Sequence, residues 1–169
     1  MKKGFVTAIT ALILIVFNAC SVQTTFDIYD VCERFNSLEK EKILNTDMFL
    51  SDGEGSLYCF YKIGESTALI SAAEDDNSAV KSIGVTISAD GFNEANRAEI
   101  LKLLEDIFGA FNYGNTKIAS GVFEQLNIGE KTVFFKDNYC QIDMGKTVYT
   151  LFSDKYSFTL TEETVNLAD

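Results

Sequence analysis

The sequence contains no histidine, no tryptophan and no proline among its 169 residues. Without an imidazole, neither a Ser-His-Asp or Cys-His catalytic arrangement nor a histidine-ligated metal site can form, which excludes many hydrolase mechanisms. Without proline, the turns must depend on Gly, Asn, Asp and Ser. Carboxylate, lysine and tyrosine chemistry, and binding without catalysis, are the functions that the composition leaves open.

Basic residues are also scarce, since 14 Lys and Arg stand against 25 Asp and Glu, for a formal charge of −11. The phosphate backbone of a nucleic acid would be repelled by this charge, so we expect no nucleic acid partner. Anionic lipid headgroups would be repelled as well, so a membrane attachment needs more than electrostatics. The hydrophobic content of 47% supports a folded core, and the length indicates one domain.

The first residues have the organisation of an export signal. Lys2 and Lys3 form a short basic start, and a mainly apolar segment of 13 residues follows at 5–17. A basic start followed by an apolar segment of this length is typical of a secretory signal peptide. A comfortable membrane-spanning helix needs about 20 apolar residues. We therefore expect an exported protein.

The segment ends in Phe17-Asn18-Ala19-Cys20, which resembles the lipobox of bacterial lipoproteins. In that family a small residue precedes the cleavage site, as Ala19 does, and the following cysteine thiol receives diacylglycerol, which places Cys20 at the position of lipid attachment. Phe17 departs from the pattern, in which Leu is usual. An uncleaved anchor helix and ordinary secretion are the alternatives.

The lipobox resemblance implies a location at the cell membrane, anchored by covalent lipid such as palmitate on the extracytoplasmic face. It divides the chain into a signal peptide at 1–19, a lipid-anchored tether at 20–25 and one domain at 26–169. The five residues after Cys20 reach about 17 Å when fully extended. We therefore expect the domain to lie close to the membrane.

Hydrophobic periodicity predicts the elements of the domain. Apolar residues at helical spacing predict helices at 27–40, from Asn93 to Gly114, and at 116–126. Strand-like segments lie at 48–50, 57–63, 67–73 and 80–88, and again at 131–136, 139–144, 147–152 and 156–161. The order is helix, strands, two helices, strands. It indicates an α+β fold, with an antiparallel sheet or sheets and about three helices packed on one face.

Three segments resemble known sites without the rest of the required pattern. Gly145-Lys146-Thr147 matches the end of a phosphate-binding loop, but Cys140 occupies the position of its first glycine, and we predict a hairpin turn. Ser78-Ala79-Val80-Lys81 matches S-x-x-K alone. The acidic residues 74–77 lack the ligand spacing of a calcium loop. We therefore predict no cofactor, no metal and no catalytic residues.

Three cysteines remain after Cys20, namely Cys32, Cys59 and Cys140. Export permits disulfides, and Cys59 and Cys140 both lie on predicted strands, which makes them the candidate pair. The alternative is three buried thiols, since a free cysteine behaves as a small hydrophobic residue.

The aromatic residues of the predicted strand at 57–63 are candidates for a binding surface. Tyr58 and Phe60 point to one face, and Leu57, Cys59 and Tyr61 point to the other. Continuous apolar runs are typical of a central strand that is buried on both faces. The alternative is that Tyr58 and Phe60 form an exposed binding surface.

Three functions follow as hypotheses. The leading one is a non-catalytic, membrane-anchored binding protein that engages another protein of the cell envelope. The second is a small-ligand or carbohydrate-binding module that uses the aromatic strand face, which exposure of Tyr58 and Phe60 would favour. The third is an envelope enzyme with paired carboxylates, which two close buried carboxylates in a cleft would favour.

Overall fold

The computed structural model describes residues 26–40, 43–129 and 134–164. The predicted signal peptide, Cys20 and the tether lie outside the described residues. Within those three ranges, no helix is both long enough and apolar enough to span a bilayer.

The first helix, α1, runs from Ile28 to Leu38, close to the predicted 27–40. It begins in a reciprocal cap: the Asp30 backbone N–H donates to Asp27 Oδ1 at 3.0 Å, and the Asp27 backbone N–H donates to Asp30 Oδ2 at 3.2 Å. Such a cap satisfies backbone donors that the first turn leaves unpaired. The inward face of α1 buries Val31 and Phe35.

In the part of the chain that the structure describes, seven strands form one antiparallel sheet. They are β1 (Leu50–Ser51), β2 (Ser56–Ile63), β3 (Ser66–Glu74), β4 (Val80–Ser88), β5 (Asn138–Met144), β6 (Thr147–Ser153) and β7 (Ser157–Thr164). Their order in space is β1-β2-β3-β4-β7-β6-β5. The two groups of predicted strands are therefore joined edge to edge, through the pairing of β4 with β7.

The helices α2 (Arg97–Phe111) and α3 (Thr116–Gln125) connect β4 to β5. The predicted start of α2 at Asn93 is wrong, because the Asn93 side chain accepts hydrogen bonds from the backbone N–H groups of Ala95 and Asn96 and forms a turn before the helix. The expected α+β class is confirmed, with the order helix, strands, two helices, strands.

The predicted strand at 131–136 is wrong where the structure describes it. Residues 131–133 lie outside the described residues, and Phe134 and Phe135 lie in a turn. Phe135 has φ +58°, a left-handed conformation that a strand does not accommodate. The two rings instead pack on Phe92, with centroids at 5.1 and 5.0 Å.

The inward face of the sheet and the helices share one hydrophobic core. Across the sheet, the register places Cys59, Ile70, Val85, Leu160, Leu151 and Cys140 in one inward row. Cys59 and Cys140 therefore stand five strand spacings apart, about 24 Å, whereas a disulfide needs Cα atoms within about 7 Å. The candidate disulfide is wrong: Cys32, Cys59 and Cys140 are free, and Cys32 and Cys59 are buried.

Gly109 lies where α2 meets the start of α3. A Cβ built at Gly109 would come within 2.7 Å of Thr116 Cγ2 and 3.2 Å of Thr116 Cα. We expect Gly109→Ala to lower the free energy of unfolding by about 1–2 kcal/mol, because overpacking by about 1–3 kcal/mol exceeds the helix propensity that Ala adds. Urea unfolding measures the change.

Gly121, within α3, is the matched control, because a Cβ there meets nothing within 4 Å. Gly121→Ala should raise the free energy of unfolding by up to about 1 kcal/mol. If both substitutions stabilised the protein, the close approach of α2 and α3 at Gly109 would be contradicted.

Candidate functional site

One face of the sheet shares the hydrophobic core with the helices. The opposite face, which we call the open face, carries mainly exposed and half-buried side chains. Two rows of paired residues cross it from β2 to β5. The first row contains Phe60, Leu69, Thr86, Thr159, Phe152 and Tyr139, and the second contains Tyr58, Ser71, Gly84, Thr161, Thr150 and Gln141. Each row spans about 24 Å.

Aromatic side chains stand at both ends of the open face. Phe60 and Tyr58 on β2 are 66% and 37% exposed, and Tyr139 and Phe152 on β5 and β6 are 66% and 46% exposed. The expectation that β2 is buried on both faces is therefore wrong. Its alternation between inward and outward side chains is as predicted, with Cys59 buried between Tyr58 and Phe60.

The middle of the open face carries hydroxyl groups and a glycine. Thr86 Oγ1 and Thr159 Oγ1 are hydrogen bonded at 3.0 Å. A Cβ at Gly84 would lie 2.9 Å from Ser71 Oγ and 3.0 Å from Thr161 Cγ2, so only glycine leaves room for these two side chains. Neither row contains a charged residue, in a chain of charge −11.

A second feature is a cleft of about 610 Å³ at the C-terminal end of β7. Glu162 lies at its inner end and is only 1% exposed. Its carboxylate accepts a hydrogen bond from the Tyr149 hydroxyl at 2.9 Å, and from Asn112 Nδ2 at 2.8 and 2.9 Å. Strand β6 and the end of α2 thus hold the carboxylate in place.

Burial changes the acidity of this group. Desolvation raises the pKa of Glu162 to about 7, against the opposing effect of the hydrogen bonds from Tyr149 and Asn112. Burial and the adjacent carboxylate also raise the pKa of Tyr149. A buried titratable group with a shifted pKa in a cleft is a marker of functional sites.

Basic and aromatic side chains form part of the cleft lining. Lys81 and Lys146 line the cleft, together with the rings of Phe26, Phe111 and Tyr113. The rings of Phe26, Phe111 and Tyr113 form an aromatic wall of the cleft. The Arg34 guanidinium does not line the cleft but lies 4.6 Å from the ring centroids of both Phe26 and Tyr113.

Among the described residues that line the cleft, no second buried carboxylate accompanies Glu162. Asp75 also lines the cleft, but its Oδ1 accepts from the backbone N–H groups of Asn77 and Ala79 and so organises the acidic turn. Elsewhere, Lys102 Nζ bridges Glu39 at 3.2 Å and Asp106 at 2.5 Å. Over the described part of the chain, no three potential metal ligands come together.

Two segments that resemble known motifs in the sequence, at Gly145 and Ser78, form turns between strands. Gly145 has φ +76° in the predicted turn between β5 and β6. Ser78 lies in the turn before β4, also with positive φ. Tyr58 and Phe60 belong to the open face. Cys20, the predicted site of lipid attachment, lies outside the described residues.

The Glu162 cleft was missed from the sequence, although a signal for it exists. Along β7, Phe158 and Leu160 face the core, and the same alternation places Glu162 inward as well. A carboxylate at a core position of a strand is unusual and indicates either a buried interaction or a site.

No known protein family, curated protein or solved structure matches the chain.

Proposed function

We propose that this chain is a lipid-anchored, extracytoplasmic binding protein without catalytic activity, and that it binds a neutral glycan across the open face of its sheet. The two uncharged rows of the open face, with exposed aromatic side chains at their ends and half-buried polar residues between them, carry the proposal. The lipobox-like segment ending in Cys20 supports the location. Among the described residues that line the cleft, Glu162 is the one buried carboxylate, which gives no support to a paired-carboxylate enzyme.

The chemistry of the open face fits a sugar chain. An aromatic ring offers a flat apolar surface to the C–H face of a sugar ring, and Ser, Thr and Gln side chains both donate and accept hydrogen bonds. The open face has rings at its two ends and such polar groups between them. A glycan chain of several rings that lies across the strands would contact both.

The distribution of residues favours a glycan over a protein partner. The energetic centre of a protein interface is commonly rich in Trp, Tyr and Arg and poor in Ser and Thr. Here the centre is formed by Thr86, Thr159, Thr161 and Gly84, and the aromatic residues stand at the ends. The lack of charged residues in the two rows is also typical of the centre of a protein–protein interface. An envelope protein is therefore the alternative occupant of the open face.

Affinity electrophoresis of the purified chain through gels containing soluble neutral polysaccharides (dextran, mannan, xyloglucan) tests the proposal. We expect at least one of them to retard the protein. Phe60→Ala and Phe152→Ala should each weaken this binding about fivefold, because the loss of one aromatic contact costs about 1 kcal/mol.

Tyr29 provides the control, since it is 56% exposed but belongs to α1, on the side of the helices. Tyr29→Ala should leave the retardation unchanged. Cross-linking of an envelope protein through the open face, with no glycan bound, would replace the glycan with a protein partner. Equal effects of the three substitutions would refute the open face as the binding surface.

A further inference from the structure

Glu162 is a buried carboxylate. No Lys or Arg among the described residues lies within 4.0 Å of it. A buried carboxylate without a cation is costly, and proteins commonly either pair it or use it. Glu162 lines the cleft, so a cation supplied by a ligand could reach it from that side.

The hydrogen bonds of Glu162 leave room for one more donor. A carboxylate has about four acceptor positions. The protein fills some of them with the Tyr149 hydroxyl and the amide of Asn112. The Asn112 amide also donates to the Phe108 carbonyl oxygen at 2.8 Å, which divides its two hydrogens between several acceptors. An N–H donor that enters from the cleft would complete the set.

Two lysines, Lys81 and Lys146, line the cleft together with Glu162, and we call them the rim. Their charge is opposite to that of the Glu162 carboxylate. Lys146 is exposed in the turn between β5 and β6 and forms no ion pair with a described residue. Lys81 is 47% exposed, and its Nζ lies 3.7 Å from Asp75 Oδ2. The Arg34 guanidinium lies behind the aromatic wall. In a strongly acidic chain, this rim presents cations to the cleft.

We propose that the cleft binds a small zwitterion, with its primary ammonium on Glu162 and its anionic group on Lys146 and Lys81. This site is separate from the open face and does not depend on glycan binding. An amino acid and the phosphoethanolamine headgroup of a lipid share this chemistry. The cavity of about 610 Å³ is of the size of known ligand sites, so further groups attached to such a zwitterion would fit.

Isothermal titration calorimetry on the full chain in mild detergent tests the site with three probes. Glycine and O-phosphoethanolamine carry the required ammonium and anion, and at least one of them should bind. Phosphocholine carries the same phosphate but no N–H donor, and should bind at least tenfold more weakly than phosphoethanolamine. Binding of phosphoethanolamine alone would assign the site to a headgroup, and binding of glycine alone to an amino acid. Failure of both would overturn the proposal.

Two variants locate the binding. Glu162→Gln keeps the size of the side chain and removes its charge, and should weaken binding at least tenfold. Lys146→Gln changes an exposed side chain, so the fold tolerates it, and it should weaken binding about tenfold. Lys155→Gln, in the turn between β6 and β7 and outside the cleft lining, is the control and should have no effect. Unchanged binding in the Lys146 variant would exclude the rim as the anion site.

The pH dependence of the affinity separates this site from a general attraction between charges. Affinity should rise between pH 6 and pH 8, because desolvation raises the pKa of Glu162 to about 7 and only its ionised form attracts the ammonium. Of the other groups around the cleft, the pKa of Tyr149 on β6 is raised and the pKa of Asp75 before β4 is lowered, so both keep their protonation state over this range. Lys81 and Lys146 lie at the rim. A flat profile, or the same rise in Glu162→Gln, would contradict the proposal.

Discussion

Replacement of Glu162 with Gln should remove most of the decline in stability that the protein undergoes as the pH rises from about 4.5 to about 7. The ordinary pKa of this carboxyl is 4.5, and burial raises its native pKa to about 7. The native state therefore holds the proton more tightly than the unfolded chain does. Its contribution to stability is complete below about pH 4.5 and is lost as the pH rises through about 7.

The size of this effect follows from the same two values. One pKa unit corresponds to about 1.4 kcal/mol, so the rise of Glu162 from 4.5 to about 7 corresponds to about 3 kcal/mol. Burial also raises the pKa of Asp106 and of Glu74, so a smaller decline should remain in the variant. Urea unfolding at pH 5, 6, 7 and 8 measures the slope.

Glu163→Gln is the matched control. Glu163 is the next residue along β7, where its side chain points to the open face and is exposed. This substitution removes the same charge without touching the core, and the wild-type decline should persist. Three turn aspartates, Asp52, Asp75 and Asp154, have lowered pKa values because backbone N–H groups donate to them. Their contribution is lost below pH 3.8, outside the range measured. A wild-type slope in the Glu162 variant would show that this carboxyl is not buried.

Local chemistry explains which parts of the fold could be predicted. The predicted range of β4 agrees with the structure, because Ile83, Val85 and Ile87 alternate with polar residues. Asp27 caps α1, which is a common role of an Asp directly before an apolar helical face. The start of α2 was predicted too early because Asn93 has the same chemistry in a cap and in a turn, and only the packing of Arg97 onward decides between them.

Non-local pairing explains what could not be predicted. No local pattern specifies that β4 pairs with β7 across a separation of more than 60 residues, since register depends on which apolar faces meet. That pairing determines that Cys59 and Cys140 are far apart. It also places Phe60 and Phe152 on one continuous face. The sequence indicates that Tyr58 and Phe60 share one face of β2. Whether these two side chains are exposed depends on which other elements cover that face of the sheet.

The largest loss of stability should come from Phe158→Ala. Phe158 is fully buried on the inward face of β7, and its ring centroid lies 4.5 Å from that of Phe134. Phe134 in turn stacks on Phe92 at 5.1 Å. Removal of the Phe158 ring would leave a cavity beneath this aromatic cluster. We expect the free energy of unfolding to fall by about 3–5 kcal/mol, a large part of the stability of about 5–15 kcal/mol that is typical of a domain.

Phe152→Ala makes the same change on the adjacent strand and the opposite face. Phe152 pairs with Thr159, the neighbour of Phe158, and is 46% exposed. Its replacement should cost less than about 1 kcal/mol, because little apolar contact is lost. Urea midpoints of the two variants give the comparison directly. A loss of 3 kcal/mol or more at Phe152 would mean that this face is covered in the folded protein, and the open face would then not be available to a glycan.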